Sequence, residues 1–275
     1  MSRRLTFTRA EIVTRRLERN YARALKASYD EAYAEIVTKL ALANARYGDL
    51  TQDTLGARAV VAGREVTRLT KLEAELRSEI ARLNRGQPQK FASFLTDSYV
   101  ANYQGAATVV QNVAPIDINF AILDRQKIYE TAVQPMGKIA LDSNRQGTWL
   151  NIQRAMTQSI VQGENIKAMT DRIQTALGQN ANNAMRIART ENTRVSNKAR
   201  LDVFEQAQDK GIKLEKLWIS AIDTRTRDHH LEMDGETRPM DKPFSNGLMY
   251  PGDQTGGDAS ETINCRCAMG TILID

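Results

Sequence analysis

Cysteine is scarce in this chain: two residues in 275, both within the tetrapeptide Asn264-Cys265-Arg266-Cys267. Two thiols cannot build a disulfide framework. The fold must rest on a buried core, which a chain of this length can form in one or two domains. Histidine is equally scarce, and its two copies are adjacent, His229 and His230. Aromatic residues make up only 6% of the chain. With Ala, Arg, Gln and Glu abundant, that balance leans towards helix. No apolar run approaches the roughly 18 residues of a membrane span. The basic start MSRRLTFTRAEIV has no apolar core of signal-peptide length. These absences lead us to expect a soluble protein made in a reducing compartment. A glycine-rich nucleotide loop, a nucleophile elbow and an HExxH helix are missing too, which leaves the common nucleotide, esterase and zinc-protease chemistries without a motif.

What the chain has is unevenly placed charge. The net charge is +5, yet residues 1–90 hold 18 Lys+Arg against 11 Asp+Glu, and residues 1–26 hold 8 against 2. Positive charge gathered in this way fits an acidic partner, either nucleic acid or an acidic protein surface. A solvated helix face is the plainer alternative. The contact candidates are Arg3, Arg4, Arg9, Arg15, Arg16, Arg19 and Arg23.

Periodicity organises the first half. Val13, Leu17, Tyr21, Leu25, Ser28, Ala32, Ile36 and Leu40 step by three and four, marking one helix face. Gly48 breaks the run and Thr51 can cap the next helix. A second run spans Leu55, Ala59, Ala62, Val66, Leu69, Leu72, Leu76, Ile80 and Leu83, and stops at Gly86 and Pro88. The simplest reading is a long antiparallel helical hairpin, each arm about 45–55 Å at 1.5 Å per residue. A four-helix bundle made with the next segment is the alternative. Residues 90–113 read as a further helix, and 124–180 as several shorter ones punctuated by Pro135, Gly147, Gly163 and Gly178. We therefore expect a helical hairpin or bundle over 1–112, a helical connecting region over 113–180, and an α+β module over 181–275.

In that module, 181–211 reads as a helix with Ile187, Val195, Ala199 and Val203 as its apolar stripe. Glu191 falls on the same stripe, and a buried carboxylate needs a partner. IKLEKLWIS at 212–220 reads as a strand carrying Trp218. Asp234-Gly235 signals a tight turn with a short strand after it. Residues 242–263 read as a long loop, and 265–272 as the last strand, which would turn Cys265 and Cys267 to the same side.

Three chemistries compete for His229, His230, Cys265 and Cys267. A metal site would use soft-to-borderline ligands suited to tetrahedral zinc, with His229, Cys265 and Cys267 as candidates. A catalytic site would pair a thiol with an imidazole, with Asp223, Asp228 and Asp234 available for acid–base work. A structural clasp would set the guanidinium forks of Arg225 and Arg227 against a carboxylate such as Glu191, with Asn264 bonding loop backbone. Such charge-assisted hydrogen bonds are worth about 1.5–3 kcal/mol each. The clasp is the preferred reading: no catalytic residue, no bound metal and no cofactor.

These motifs also carry a resemblance. Arg189-Thr190-Glu191 on a helix, the Trp218 strand, Asp223-x-Arg225-Thr226-Arg227-x-His229, the Asp234-Gly235 turn and the terminal Asn264-Cys265-Arg266-Cys267 follow in an order that resembles the phage Mu F-like minor head proteins. The resemblance covers about residues 150–275. It implies a mostly helical α+β protein of the phage head, assembled in the bacterial cytoplasm and incorporated into the virion. The partners it implies are the portal protein and the procapsid interior, with packaged DNA contacted non-specifically and no membrane. It implies a role in head morphogenesis, DNA packaging or ejection rather than enzymatic activity. A metal-dependent hydrolase or nuclease using His229, Asp223 and the two cysteines is the alternative.

Overall fold

A computed structural model describes residues 3–5, 8–47, 60–162 and 164–274, with side chains described for most of these. The elements, in chain order, are β1 (Arg3–Leu5), α1 (Thr8–Tyr47), α2 (Val60–Arg85), α3 (Gln87–Gln111), α4 (Arg125–Ile128), α5 (Gln134–Val161), α6 (Ile166–Asp209), β2 (Leu214–Ile219), α7 (Asp228–Glu232), β3 (Thr237–Pro239), α8 (Ala259–Thr262) and β4 (Ala268–Leu273). A π-helical turn, Tyr129–Val133, joins α4 to α5. The protein is mostly helical with one small antiparallel sheet, an α+β fold as the helical runs and the strand signals after Gly211 lead one to expect. The turn expected around Gly48 and Thr51 lies outside the described residues, as do the side chains of the second run before Thr70.

The chain divides into two compact units: residues 22–89 with 139–185, and residues 1–21 with 90–138 and 186–275. The first is built from four helical segments. Leu25, Tyr29, Ala32, Ile36 and Leu40 of α1 are buried at helical spacing, as are Leu72, Leu76, Ile80 and Leu83 of α2. Ion pairs Arg82–Glu31 (2.7 Å) and Lys39–Glu79 (3.4 Å) join these helices with antiparallel sense. Asn144 of α5 donates to the Tyr29 hydroxyl at 3.4 Å, and Gln153 of α5 to Glu73 of α2 at 3.3 Å.

Residues 124–180 depart from the expectation of several short helices. Gly147 lies inside α5 and Gly178 inside α6, and Pro135 is the second residue of α5. A mid-helix glycine costs only about 1 kcal/mol, which burial of Met169, Ile173 and Leu177 on α6 outweighs. Pro135 follows closely on the π-helical turn within a continuous run of helix from Arg125 to Val161, so the hydrogen bond its missing N–H cannot make falls at that irregular turn. Gly163 lies outside the described residues.

The second unit holds the sheet, ordered β1-β4-β2-β3 with all pairs antiparallel. β2 and β3 fall where the sequence places strands. β1 carries no signal in the sequence, because three residues are too few to show alternation. β4 begins at Ala268, three residues later than expected. Asn264 turns the chain in the left-handed region (φ +58°), so Cys265 and Cys267 precede the ladder.

Candidate functional site

The C-terminal segment is gripped from one side by α6. Four polar side chains spaced three, four and three apart, Thr190, Thr193, Asn197 and Arg200, fall on one helical stripe. Thr190 accepts from the Asn264 backbone N–H at 2.8 Å. Thr193 donates to the Cys265 carbonyl at 2.6 Å. Asn197 donates to the Pro251 and Cys267 carbonyls at 2.9 and 3.1 Å and accepts from the Met269 N–H at 2.8 Å. Arg200 donates to the Met269 carbonyl at 3.1 Å. The backbone from 264 to 269 is thereby fixed on the approach to β4 and over its first two residues.

On the other side, β2 presents Leu214, Lys216 and Trp218, all buried. Trp218 meets Phe244 and His230 edge-on, each at 5.2 Å between ring centroids. Together with Met233, Leu248, Cys265 and Cys267 it forms the local apolar core. The Lys216 ammonium donates to the Met240 and Met249 carbonyls at 3.3 and 2.9 Å and lies 5.1 Å from the Phe244 ring centre. Desolvation pulls its pKa down to about 8.

At the centre is His230, on α7 and 1% exposed. Its Nδ1 lies 3.5 Å from Cys267 Sγ and 3.8 Å from Cys265 Sγ. Its Nε2 lies 3.0 Å from a carboxylate oxygen of Glu261, on α8. Glu261 also meets His229 Nε2 at 2.9 Å and accepts from Asn246 at 3.2 Å. Burial pulls the His230 imidazole down, but Cys267 and Glu261 together outweigh it and leave its pKa raised. The hydrogen bond from Cys265 holds the Cys267 thiol below its ordinary value against burial, with His230 helping. Cys265 is pushed up, first by Cys267 and then by burial.

The structure redistributes the residues singled out from the sequence. His230, not His229, turns to the thiols; His229 is half-exposed beside Glu261. Glu191 is buried and partnered, but not by Arg225 or Arg227. Arg194, one turn along α6, reaches it at 2.8 Å, and Gln254 donates to it at 2.8 Å. An intrahelical partner needs no loop to approach, so the two guanidiniums further along are left for other work. Arg227 donates to the Ile263 carbonyl at 2.8 Å, while Arg225 is exposed and its backbone N–H bonds Asp223 at 2.9 Å. The fork that does clasp a carboxylate is Arg266, bound to both oxygens of Asp223. Arg266 holds that carboxyl down to about 2, aided by the Arg225 N–H. Asp234 accepts from the Ser220 N–H at 2.8 Å, and Gly235 takes φ +87° in the turn. Arg189 pairs with Glu18 of α1 at 3.0 Å. Among the described residues, neither cluster of potential metal ligands includes Asp223 or combines His229 with a cysteine.

Sequence reading named His230 with the thiols but preferred His229, and it missed Glu261, Arg194, Asn197 and Lys216 as parts of the site. The 190-193-197-200 polar stripe was visible in the sequence. The Glu261 and Asn246 contacts come from a loop whose path no pattern gives. That loop is pinned: buried Asp253 accepts from the Met249 and Thr255 N–H groups at 3.1 and 2.9 Å.

Of the basic candidates, Arg15, Arg16, Arg19 and Arg23 are exposed on α1, and the side chains of Arg3, Arg4 and Arg9 lie outside the described ones. No helix among the described residues is long and apolar enough to cross a membrane.

Comparison with known proteins places these features. The minor head protein GP7 of Bacillus phage SPP1 is 29% identical over 185 residues, 65% of this chain and 60% of that protein. The NAD(+)–arginine ADP-ribosyltransferase EFV of Enterococcus faecalis is 40% identical over 85 residues, 30% of this chain and 18% of the relative. An uncharacterized protein of Haemophilus influenzae is 24% identical over 183 residues, 66% of this chain and 38% of the relative. The chain thus covers less than two thirds of the length of each of these relatives. No solved structure gives a significant match. The model of the phage Mu protein F-like family matches residues 150–270, the span that contains α6, the polar stripe and the His–Cys cluster, so that region of the chain is similar to this family.

Proposed function

We propose that this chain is a minor head protein of a tailed phage or prophage, acting in head morphogenesis at the portal and the head interior. The observation that carries the reading is the likeness to the SPP1 minor head protein, which runs over a longer span than the family region itself. The geometry supports a structural and interaction role rather than catalysis. Three carboxylates of the module are engaged within it, Glu191 with Arg194, Asp223 with Arg266 and Glu261 with both histidines. The motif residues act by closing the C-terminal module.

The exposed Arg15, Arg16 and Arg19 are the proposed contact with packaged DNA or an acidic portal surface. The protein is made in the host cytoplasm and carried in the virion. The test is fractionation of assembling particles. Mass spectrometry of purified procapsids and heads is expected to find the chain in few copies, and affinity purification is expected to bring down the portal protein. A chain absent from both particle fractions would overturn the reading.

A further inference from the structure

We infer that His230, Cys265 and Cys267 form a zinc site that staples the C-terminal module, independently of the head-protein reading. Zinc held at about 2.3 Å from sulfur and about 2.05 Å from nitrogen, at tetrahedral angles, sets sulfur and nitrogen about 3.6 Å apart. The two sulfur-to-Nδ1 distances here are 3.5 and 3.8 Å. All three donor atoms lie within 4.8 Å of one another, each on a buried residue.

The second line of argument is orientation. A metal-bound imidazole almost always gives its other N–H to a carboxylate, a backbone carbonyl or a water. Glu261 occupies that position on Nε2 at 3.0 Å, which leaves the Nδ1 lone pair facing the thiols. Glu261 is itself steadied by Asn246 at 3.2 Å, so the imidazole plane is set before any ion arrives. Two thiolates and an imidazole are a soft-to-borderline set that selects zinc over magnesium or calcium. Binding Zn²⁺ to two thiols forms two metal–sulfur bonds and releases the two thiol protons to solvent. Three protein donors leave the fourth position of a tetrahedral ion to a water or another ligand. The ion would join α7 to the segment ahead of β4, tying together residues 35 and 37 apart in sequence.

The experiment uses the full chain with any purification tag removed. After dialysis against chelator, titration with Co²⁺ should saturate at one equivalent. It should give a near-ultraviolet thiolate-to-cobalt band and the visible bands of a tetrahedral ion, and Zn²⁺ should then displace the Co²⁺. Cys265→Ser and Cys267→Ser should each lose the thiolate band in part, and the double variant should lose uptake. His229→Ala should keep the full spectrum. Glu261 is a positioning residue, and Glu261→Gln should keep the stoichiometry while weakening zinc affinity by about 10–100-fold. If the cysteine variants do not fold, zinc X-ray absorption on the unaltered chain should count two sulfur neighbours. A folded chain that takes up neither ion, or a zinc spectrum with only nitrogen and oxygen neighbours, would overturn the site.

Discussion

Asn197 uses both amide hydrogens and its carbonyl oxygen, donating twice and accepting once while 2% exposed. Removing it orphans two carbonyls and one N–H in the interior. An unsatisfied buried polar group costs about 1–3 kcal/mol, so Asn197→Ala should lower the unfolding free energy by about 2–4 kcal/mol in a urea titration. A loss under about 1 kcal/mol would mean that the amide is not what holds the strand entry. Lys216 makes a different claim, about pH. The unfolded lysine keeps its proton up to 10.5, whereas the folded one, desolvated on β2, releases it near 8. Between those values the unfolded chain binds more protons, so this residue makes stability rise with pH, and below about 8 its cost is constant. Lys216→Met should abolish that rise when the melts of the two proteins are compared across pH 8 to 10. Identical pH slopes would show that the ammonium is already well solvated.

At the level of elements, the loop after β3 is pressed against α6. Gly252 has φ +87°, and a Cβ there would sit 3.0 Å from the Arg194 backbone nitrogen and 3.1 Å from its Cα. Gly235 has the same φ of +87°, but with nothing within 4 Å of a Cβ. Both alanine variants meet the left-handed penalty, about 1–2 kcal/mol, and only Gly252→Ala also forces a helix and a loop apart. Thermal melts should therefore rank Gly252→Ala well below Gly235→Ala, and equal Tm values would argue against the close approach. The same contrast explains what could be read from sequence. α1 and α2 announce themselves through apolar steps of three and four, and β2 through its Ile, Leu and Trp content. Gly147 and Gly178 mislead because a glycine's helix cost is small beside the burial of its neighbours. The partner of Glu191 is misplaced when the guanidinium forks of Arg225 and Arg227 are set against it, because the i+3 neighbour Arg194 is already on the same helix. The preference for His229 over His230 fails because adjacent residues on a five-residue helix point about 100° apart, and sequence does not say which one faces inward.

For the molecule as a whole, charge placement outweighs net charge. The +5 total conceals a first 26 residues with 8 basic and 2 acidic side chains. If that segment contacts packaged DNA, binding must be indifferent to sequence and governed by counterion release, with a log–log salt slope of about 0.9 per phosphate neutralised. Arg15, Arg16 and Arg19 are exposed on α1, where a phosphate backbone can reach them. Replacing all three by Gln should flatten the slope by about 2–3, with affinity for unrelated duplexes falling in parallel. The unfolding midpoint should barely move, because exposed side chains away from buried networks contribute little to stability. Fluorescence anisotropy on two unrelated duplexes, titrated at several salt concentrations, provides the measurement. An unchanged slope would remove these arginines from any DNA contact. Loss of binding on only one duplex would point to base reading, for which the basic segment has no recognition motif.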